Sequence, residues 1–418
     1  METLYINGGR PLNGSLDIVT AKNALLPILA GSIISDKKIV INKVAKFSDV
    51  NYMIKILDSL GCKTRLHDNK LTIDSGCADK YIVKDEFTKK VRSSIFMLGP
   101  LLSRFKRAKV AYPGGCNIGN RPIDLHLKGL ESLNVKIEEK HGYIYCDGTN
   151  MKAGEVHLDF PSVGATENLI MASVKLKGVT KIHNAAREPE IEDLQNFINA
   201  MGGKVFGAGS STITIVGVSS LCDVEYTPIA DRIVGGTYLI ACAMCGGNIK
   251  LNGFIKEYNQ ALLNKMKNCG VVIKAKEDYI ELIAKNRPKS IANIDTQPYP
   301  GFPTDLQNQI LALQTISRGT SMVVENLYES RFKICNELAK MGADIILKDR
   351  MAIIKGVNKL YGASVTATDL RGGAGLVLAG LTAEGYTTVE DIYHIDRGYL
   401  SIEEDFCRLG AEIKRIIK

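Results

Sequence analysis

Met341-Gly342-Ala343-Asp344 is one of six short stretches whose recurrence decides the fold. The others are Leu60-Gly61-Cys62-Lys63, Leu133-Asn134-Val135-Lys136, Met201-Gly202-Gly203-Lys204, Cys269-Gly270-Val271-Val272 and Leu409-Gly410-Ala411-Glu412. Their second positions are spaced by 73, 68, 68, 72 and 68 residues, an internal repeat with a period near seventy. Each stretch closes an apolar stripe at helical spacing, such as Leu127, Leu130 and Leu133, or Ile402, Phe406 and Leu409. Glycine in that position is the expected end of a helix. An alternating strand pair follows, 63–66 with 71–73 in one copy and 345–347 with 352–354 in another.

Upstream in each copy an apolar helix precedes a β-branched strand. The pairs are 24–34 with 39–41, 93–105 with 109–112, 164–175 with 180–183, 233–244 with 249–251, 305–317 with 322–325, and 372–383 with 387–390. The unit therefore reads βαβαββ, and the fold class is α/β. Two helices and one four-stranded sheet cannot bury their apolar faces alone, so three units are expected per domain. The first domain is expected over 20–229, with a seam near Thr227-Pro228-Ile229. The second is expected over 1–19 and 230–418, closed by both termini.

A chain of 418 residues is too long for a single ordinary core, and 45% apolar with 23% charged residues is the balance of a globular protein. No apolar run reaches the roughly 18 residues of a membrane span, and no basic-then-apolar leader opens the chain, so a cytoplasmic location off the membrane is expected. The net charge of +8 is spread along the chain with acids interleaved, and no aromatic-basic motif accompanies it. An acidic small-molecule ligand accounts for it without nucleic acid. Ten cysteines are dilute and irregular; Cys269, Cys335 and Cys407 read as buried packing residues. Cys242 and Cys245 have CxxC spacing but lie in an apolar helical run with no second pair. His394 and the other five histidines show no metal spacing, so neither a metal nor a cofactor is expected.

One stretch stands outside the repeat: Pro113-Gly114-Gly115-Cys116-Asn117-Ile118-Gly119-Asn120-Arg121-Pro122. Prolines without donors and glycines free in φ make it a loop. A lone thiol in a loop, five residues before an arginine, suits chemistry rather than packing. Elsewhere, charged and polar residues recur at two points of the unit. One is the start of the first helix, with Lys22-Asn23, Arg92, Ser162-Val163-Gly164, Arg232, Asp305 and Arg371. The other is the loop after the second strand, with Cys116 and Arg121, Arg187-Glu188, Arg331 and Arg397. Helix N-termini and guanidinium groups both favour anions, so a ligand with several negative charges is expected. Asp305 in that field is expected to stay ionised and able to accept a proton.

Together the Cys116 loop, Thr20-Ala21-Lys22-Asn23-Ala24, Ala185-Ala186-Arg187-Glu188-Pro189-Glu190, Phe302-Pro303-Thr304-Asp305, Asp369-Leu370-Arg371 and Tyr393-His394-Ile395-Asp396-Arg397-Gly398-Tyr399 resemble the UDP-N-acetylglucosamine 1-carboxyvinyltransferases. The resemblance runs end to end. It implies two inside-out α/β domains, helices within and sheets outside, around a cleft. It implies transfer of the enolpyruvyl group of phosphoenolpyruvate to the 3′-hydroxyl of UDP-N-acetylglucosamine, by addition and elimination, as the first committed step of peptidoglycan synthesis. Cys116 would be the acid, Asp305 the base. Lys22, Arg121 and Arg397 would hold phosphate, and Arg331 and Arg371 the carboxylate. Asn23 and Arg92 would orient sugar and lid, and Leu327 would offer the sugar a backbone contact. Arg121 and Pro122 with Ile123, Asp124 and Leu125 would cover the uracil, and Ser162, Val163 and Gly164 would meet the diphosphate. Cys116 implies alkylation by the epoxide fosfomycin. Two departures stand out: Phe160 where relatives carry a basic residue, and a Gly-Gly-Ala-Gly run after Arg371 that reads as a looser turn. A sister shikimate-pathway synthase and a non-catalytic UDP-sugar binder are the competing readings.

Overall fold

The helices that close on the six repeated stretches share one terminal geometry. Gly61, Gly202, Gly270, Gly342 and Gly410 have φ between +89° and +99°, and Asn134 takes the same left-handed region at +65°. Asparagine tolerates that region better than other side chains, which is why the second copy lacks glycine without losing the turn. Each turn reverses the chain into a strand. The structure, a computed structural model, describes residues 2–114 and 123–417. These divide into one unit of 2–19 with 230–417 and another of 20–114 with 123–229.

Six four-stranded sheets are present among the described residues, three in each unit. All follow one order. In the sheet Asn293–Asp295, Thr320–Val324, Met351–Lys355 and Asp344–Lys348, the first pair is parallel and the other two are antiparallel. Two sheets of the first unit borrow strands from the other end of the chain. Glu2–Asn7 lies between Tyr386–Glu390 and Glu412–Ile417, and Leu12–Asp17 runs parallel to Gly247–Asn252. In the second unit Val224–Tyr226 likewise supplies the parallel partner of Lys38–Ile41.

Strands alternate buried and exposed side chains, so each sheet shows one face to solvent. Helices are the reverse. Gln307–Ile316 is buried at every position, and Leu370–Thr382 is buried from Arg371 to Leu381. Helices lie within and sheets outside in each unit, the inside-out α/β arrangement. The helix pairs touch through small residues. A Cβ on Gly99 would come 2.3 Å from the backbone oxygen of Asn168, whose side-chain Oδ1 accepts from Gly99 N at 2.8 Å. Gly99→Ala is therefore expected to force the helices Leu98–Phe105 and Val163–Ser173 apart and to cost about 3 kcal/mol. At Gly154 an added methyl meets no atom within 4 Å, and Gly154→Ala should stay within about 1 kcal/mol of wild type. Urea unfolding of both variants checks this; equal midpoints would contradict it.

Candidate active site

In the unit of 2–19 and 230–417, the two recurrent polar places of the repeat meet. Asp305 sits in the short helical turn Thr304–Leu306, and its carboxylate caps no helix. Its Oδ1 accepts from Arg331 Nη2 at 2.6 Å and its Oδ2 from Arg371 Nη2 at 3.1 Å. Both arginines are almost fully buried, while the Asp305 side chain keeps 26% exposure. Asp369 fixes the arrangement from behind. It caps the helix Leu370–Thr382 by accepting from Arg371 N and Gly372 N, and lies 3.8 Å from Arg331 Nη1. Tyr399 hydroxyl lies 3.4 Å from Arg371 Nη1 and 2.7 Å from Thr237 Oγ1, and Gln309 Nε2 donates to both hydroxyls and to Asp305 O. Burial works against the charge of Arg371, but Asp305, Tyr399 and Asp231 more than offset it and lift its pKa above the ordinary arginine range. Burial lowers the pKa of His394, with Asp369 opposing and Arg397 adding to the effect.

Glu325 was not singled out by the sequence pattern, yet it is fully buried and organises this region. It accepts from Thr296 Oγ1, Leu327 N and Tyr328 N through one oxygen and from Thr304 Oγ1 through the other. The Leu327 amide is thereby occupied, so its carbonyl is the group left for a backbone contact. The Gly372–Gly375 run, expected as a looser turn, is the opening of the helix after Arg371. A Cβ on Gly373 would fall 2.7 Å from Ile395 and one on Gly375 2.6 Å from Ile334, so these glycines serve close packing. A second correction concerns Cys407, which is exposed, because its helix Ile402–Arg408 buries Ile402 and Phe406 instead. Cys269 and Cys335 are buried, and burial pushes each thiol up to about 12.

In the unit of 20–114 and 123–229, Lys22 opens the helix Lys22–Gly31 and is nearly buried. Its Nζ lies 3.3 Å from Asp49 Oδ2, at the start of the helix Ser48–Ser59. Asn23 follows it, half-buried. Arg92, at the start of Arg92–Met97, is one of the charges acting on His126. Ile123 precedes the helix Asp124–Ser132, which carries Asp124, Leu125 and buried His126. A Cβ on Gly164 would lie 2.9 Å from His126 Cε1, which brings the start of the helix Val163–Ser173 against the same ring. Ser162 caps that helix through Ala165 N, and Thr166 ties Ser162 O to Ala186 N. Phe160 is exposed just before it. Cys116, Arg121 and Pro122 lie outside the described residues.

His126 titrates in a telling way. Asn168 Nδ2 can only donate, so His126 Nδ1, 2.8 Å away, accepts, and the proton of the neutral ring sits on Nε2. Burial first and Arg92 second push its pKa down to about 3. The folded state thus holds it neutral while the unfolded chain takes up a proton below about 6.5. Its contribution to stability is intact above that pH and is lost progressively as pH falls toward 3, at up to about 1.4 kcal/mol per pH unit. Between pH 7 and 5, wild type should lose about 2 kcal/mol more than His126→Gln, whose amide oxygen can still accept from Asn168. Parallel pH dependences in thermal unfolding would overturn this.

Three such sheets over buried helices in each unit give the fold of the enolpyruvyl transferase class of α/β proteins. A family model described as EPSP synthase (3-phosphoshikimate 1-carboxyvinyltransferase) matches residues 6–406. The solved enolpyruvyl transferase NikO from Streptomyces tendae superposes with a TM-score of 0.88 at 21% identity, covering 99% of each chain. The UDP-N-acetylglucosamine 1-carboxyvinyltransferase 2 of Caldanaerobacter subterraneus is 50% identical over 417 residues, 100% of both chains. The UDP-N-acetylglucosamine 1-carboxyvinyltransferase 1 of Carboxydothermus hydrogenoformans is 47% identical over 416 residues, 100% of this chain and 99% of that one. The chain belongs to the UDP-N-acetylglucosamine 1-carboxyvinyltransferase family of enolpyruvyl transferases. Among the described residues no helix is long and apolar enough to cross a membrane.

Proposed function

We propose that this chain transfers the enolpyruvyl group of phosphoenolpyruvate to the 3′-hydroxyl of UDP-N-acetylglucosamine and releases phosphate, the first committed step of peptidoglycan synthesis. The observation that carries the reading is Asp305 held by Arg331 and Arg371 in a chain of this family. The sugar oxygen attacks C2 of phosphoenolpyruvate and gives its proton to Asp305, while Cys116 protonates C3. The tetrahedral adduct then returns a proton from C3 to the Cys116 thiolate and expels phosphate, which carries away the proton held by Asp305, so the double bond and both residues are restored.

The charge arrangement supports this order. An arriving carboxylate competes with Asp305 for the two guanidinium groups. Once they turn to the substrate, the aspartate loses its counter-charges and becomes a better base just as the hydroxyl needs one. Nε of Arg331 and Nε of Arg371 are buried with no hydrogen-bond partner among the described residues, so each guanidinium can turn without breaking a bond at that end. Lys22, Arg121 and Arg397 hold the phosphate and stabilise its departure. Asn23 and Arg92 orient the sugar and the lid, with the Leu327 carbonyl on the sugar. Ser162, Val163 and Gly164 offer the diphosphate the N-terminus of a helix. Arg121, Pro122, Ile123, Asp124 and Leu125 cover the uracil. The Cys116 thiolate opens the fosfomycin epoxide and is alkylated by it. The chain works as a cytoplasmic enzyme without a cofactor.

Phosphate release from phosphoenolpyruvate tests the reading. It should require UDP-N-acetylglucosamine and fall at least about 100-fold in Cys116→Ser. Release with shikimate 3-phosphate instead would favour the sister synthase, and release with neither acceptor would favour a non-catalytic binder.

A further inference from the structure

Away from the arginine site, one exposed sheet face gathers three metal-ligating side chains. Glu155–His157 runs parallel to Val179–His183, with Glu155 opposite Lys181 and His157 opposite His183. Alternate residues of a strand share a face, so all four project from the same side. The two imidazole rings stack with centroids 4.4 Å apart and planes 15° from parallel. One ligand atom from each of Glu155, His157 and His183 lies within 4.8 Å of the other two. His183 Nε2 makes no hydrogen bond; its nearest acid is Glu155 Oε2 at 3.5 Å. Lys181 Nζ approaches the other oxygen, Oε1, at 3.9 Å, which leaves Oε2 to the histidines.

We propose that Glu155, His157 and His183 form a surface site for a zinc-type divalent transition-metal ion, which clasps the edge strand Glu155–His157 to its neighbour. Two imidazole nitrogens with one carboxylate oxygen suit zinc, copper or nickel, whereas magnesium and calcium take oxygen sets. At ligand distances of about 2.0–2.2 Å a tetrahedral ion sets its donors about 3.4–3.6 Å apart, a spacing that His183 Nε2 and Glu155 Oε2 already meet at 3.5 Å. Side-chain rotation of about 1 Å, which unstacks the two rings so that their lone pairs converge, brings the remaining donor to that spacing. Water completes the coordination, because Glu155 and His157 are exposed. The strand gains most from the clasp because it is only three residues long and lies at the sheet edge, where few ladder bonds hold it.

The full chain is titrated with Zn2+ by calorimetry after its thiols are blocked with iodoacetamide, since Cys77, Cys222 and Cys407 are exposed and would compete. Wild type should take up one equivalent. Loss of a mere supporting contact to a metal ligand costs 10- to 100-fold, so His157→Ala or His183→Ala should weaken binding by about 100-fold or more. Metal at about 100 times Kd should also raise the melting temperature of wild type by roughly 5 °C and leave the variants unmoved. Neither histidine belongs to the transfer machinery, so phosphate release by the unalkylated variants should match that of unalkylated wild type. The Cu2+-loaded wild type should show electron paramagnetic couplings to two imidazole nitrogens, a readout that needs no variant. No uptake by wild type at about 1 mM Zn2+, equal affinities in the histidine variants, or a copper spectrum without imidazole couplings would each overturn the proposal.

Discussion

Asp305→Asn is expected to lower enolpyruvyl transfer at saturating substrates by about 10²- to 10⁴-fold. The amide is the size of the carboxylate and keeps an oxygen for Arg331, but it cannot take the hydroxyl proton. Its NH2 would also face Arg371 Nη2, now 3.1 Å from Oδ2, so donor would meet donor. Two almost fully buried guanidinium groups would then lose their shared carboxylate, with Asp369 left beside Arg331 and only the longer-range field of Asp231 added on Arg371. Because Asp305 is a quarter exposed, solvent screens part of that loss, and about 1–2 kcal/mol of stability is the expected cost. Phosphoenolpyruvate should restore this stability, since its carboxylate would replace the missing charge, yet it should not restore the rate. Steady-state phosphate release separates the two effects, with thermal unfolding run with and without phosphoenolpyruvate. A kcat within tenfold of wild type would remove Asp305 as the proton acceptor.

Glu325→Ala should lower stability by about 3–5 kcal/mol, or the melting temperature by roughly 10 °C. Two backbone amides and two hydroxyls lose their acceptor in a fully buried place. Those donors fix Thr304, one residue from Asp305, and Leu327-Tyr328, a few residues from Arg331. Transfer should therefore slow in any molecules that remain folded. Glu325→Gln gives the sharper comparison. Its Oε1 can still accept from Thr296, Leu327 and Tyr328, and its NH2 can donate to the Thr304 hydroxyl, which rotates to accept. Near-wild-type stability is expected for glutamine. Equal losses in the two variants would show that packing, and not hydrogen bonding, is what Glu325 supplies.

The helix ends and hairpins of this chain were legible because they obey local rules. A left-handed residue after an apolar stripe marks a helix end wherever it occurs, and six occurrences at one period declare a repeat. Asn134 fits the same rule by its own tolerance of positive φ. The arginines and Asp305 were legible for a related reason: they break the apolar pattern at equivalent points of the unit. Arg371 shows the limit of such reading. The glycines after it fall in a stretch that the apolar pattern gives as a helix, yet they also look like a loose turn. They are helical, and their lack of side chains answers to Ile395 and Ile334, each roughly twenty to forty residues away in the chain.

The amino-acid sequence by itself determined the repeat, the alternation that puts one face of each sheet outside, and the kinds of side chain offered to an anionic ligand. Only the tertiary structure decided which of them meet. It put Glu2–Asn7 into a sheet with strands near residue 400, Asp49 beside Lys22, Glu325 beneath Thr304, and His157 against His183. Periodicity reports the energetics of neighbours within a turn or a strand. Pairings across hundreds of residues are selected by the packing of whole elements, and that information is spread over every surface that must be buried at once.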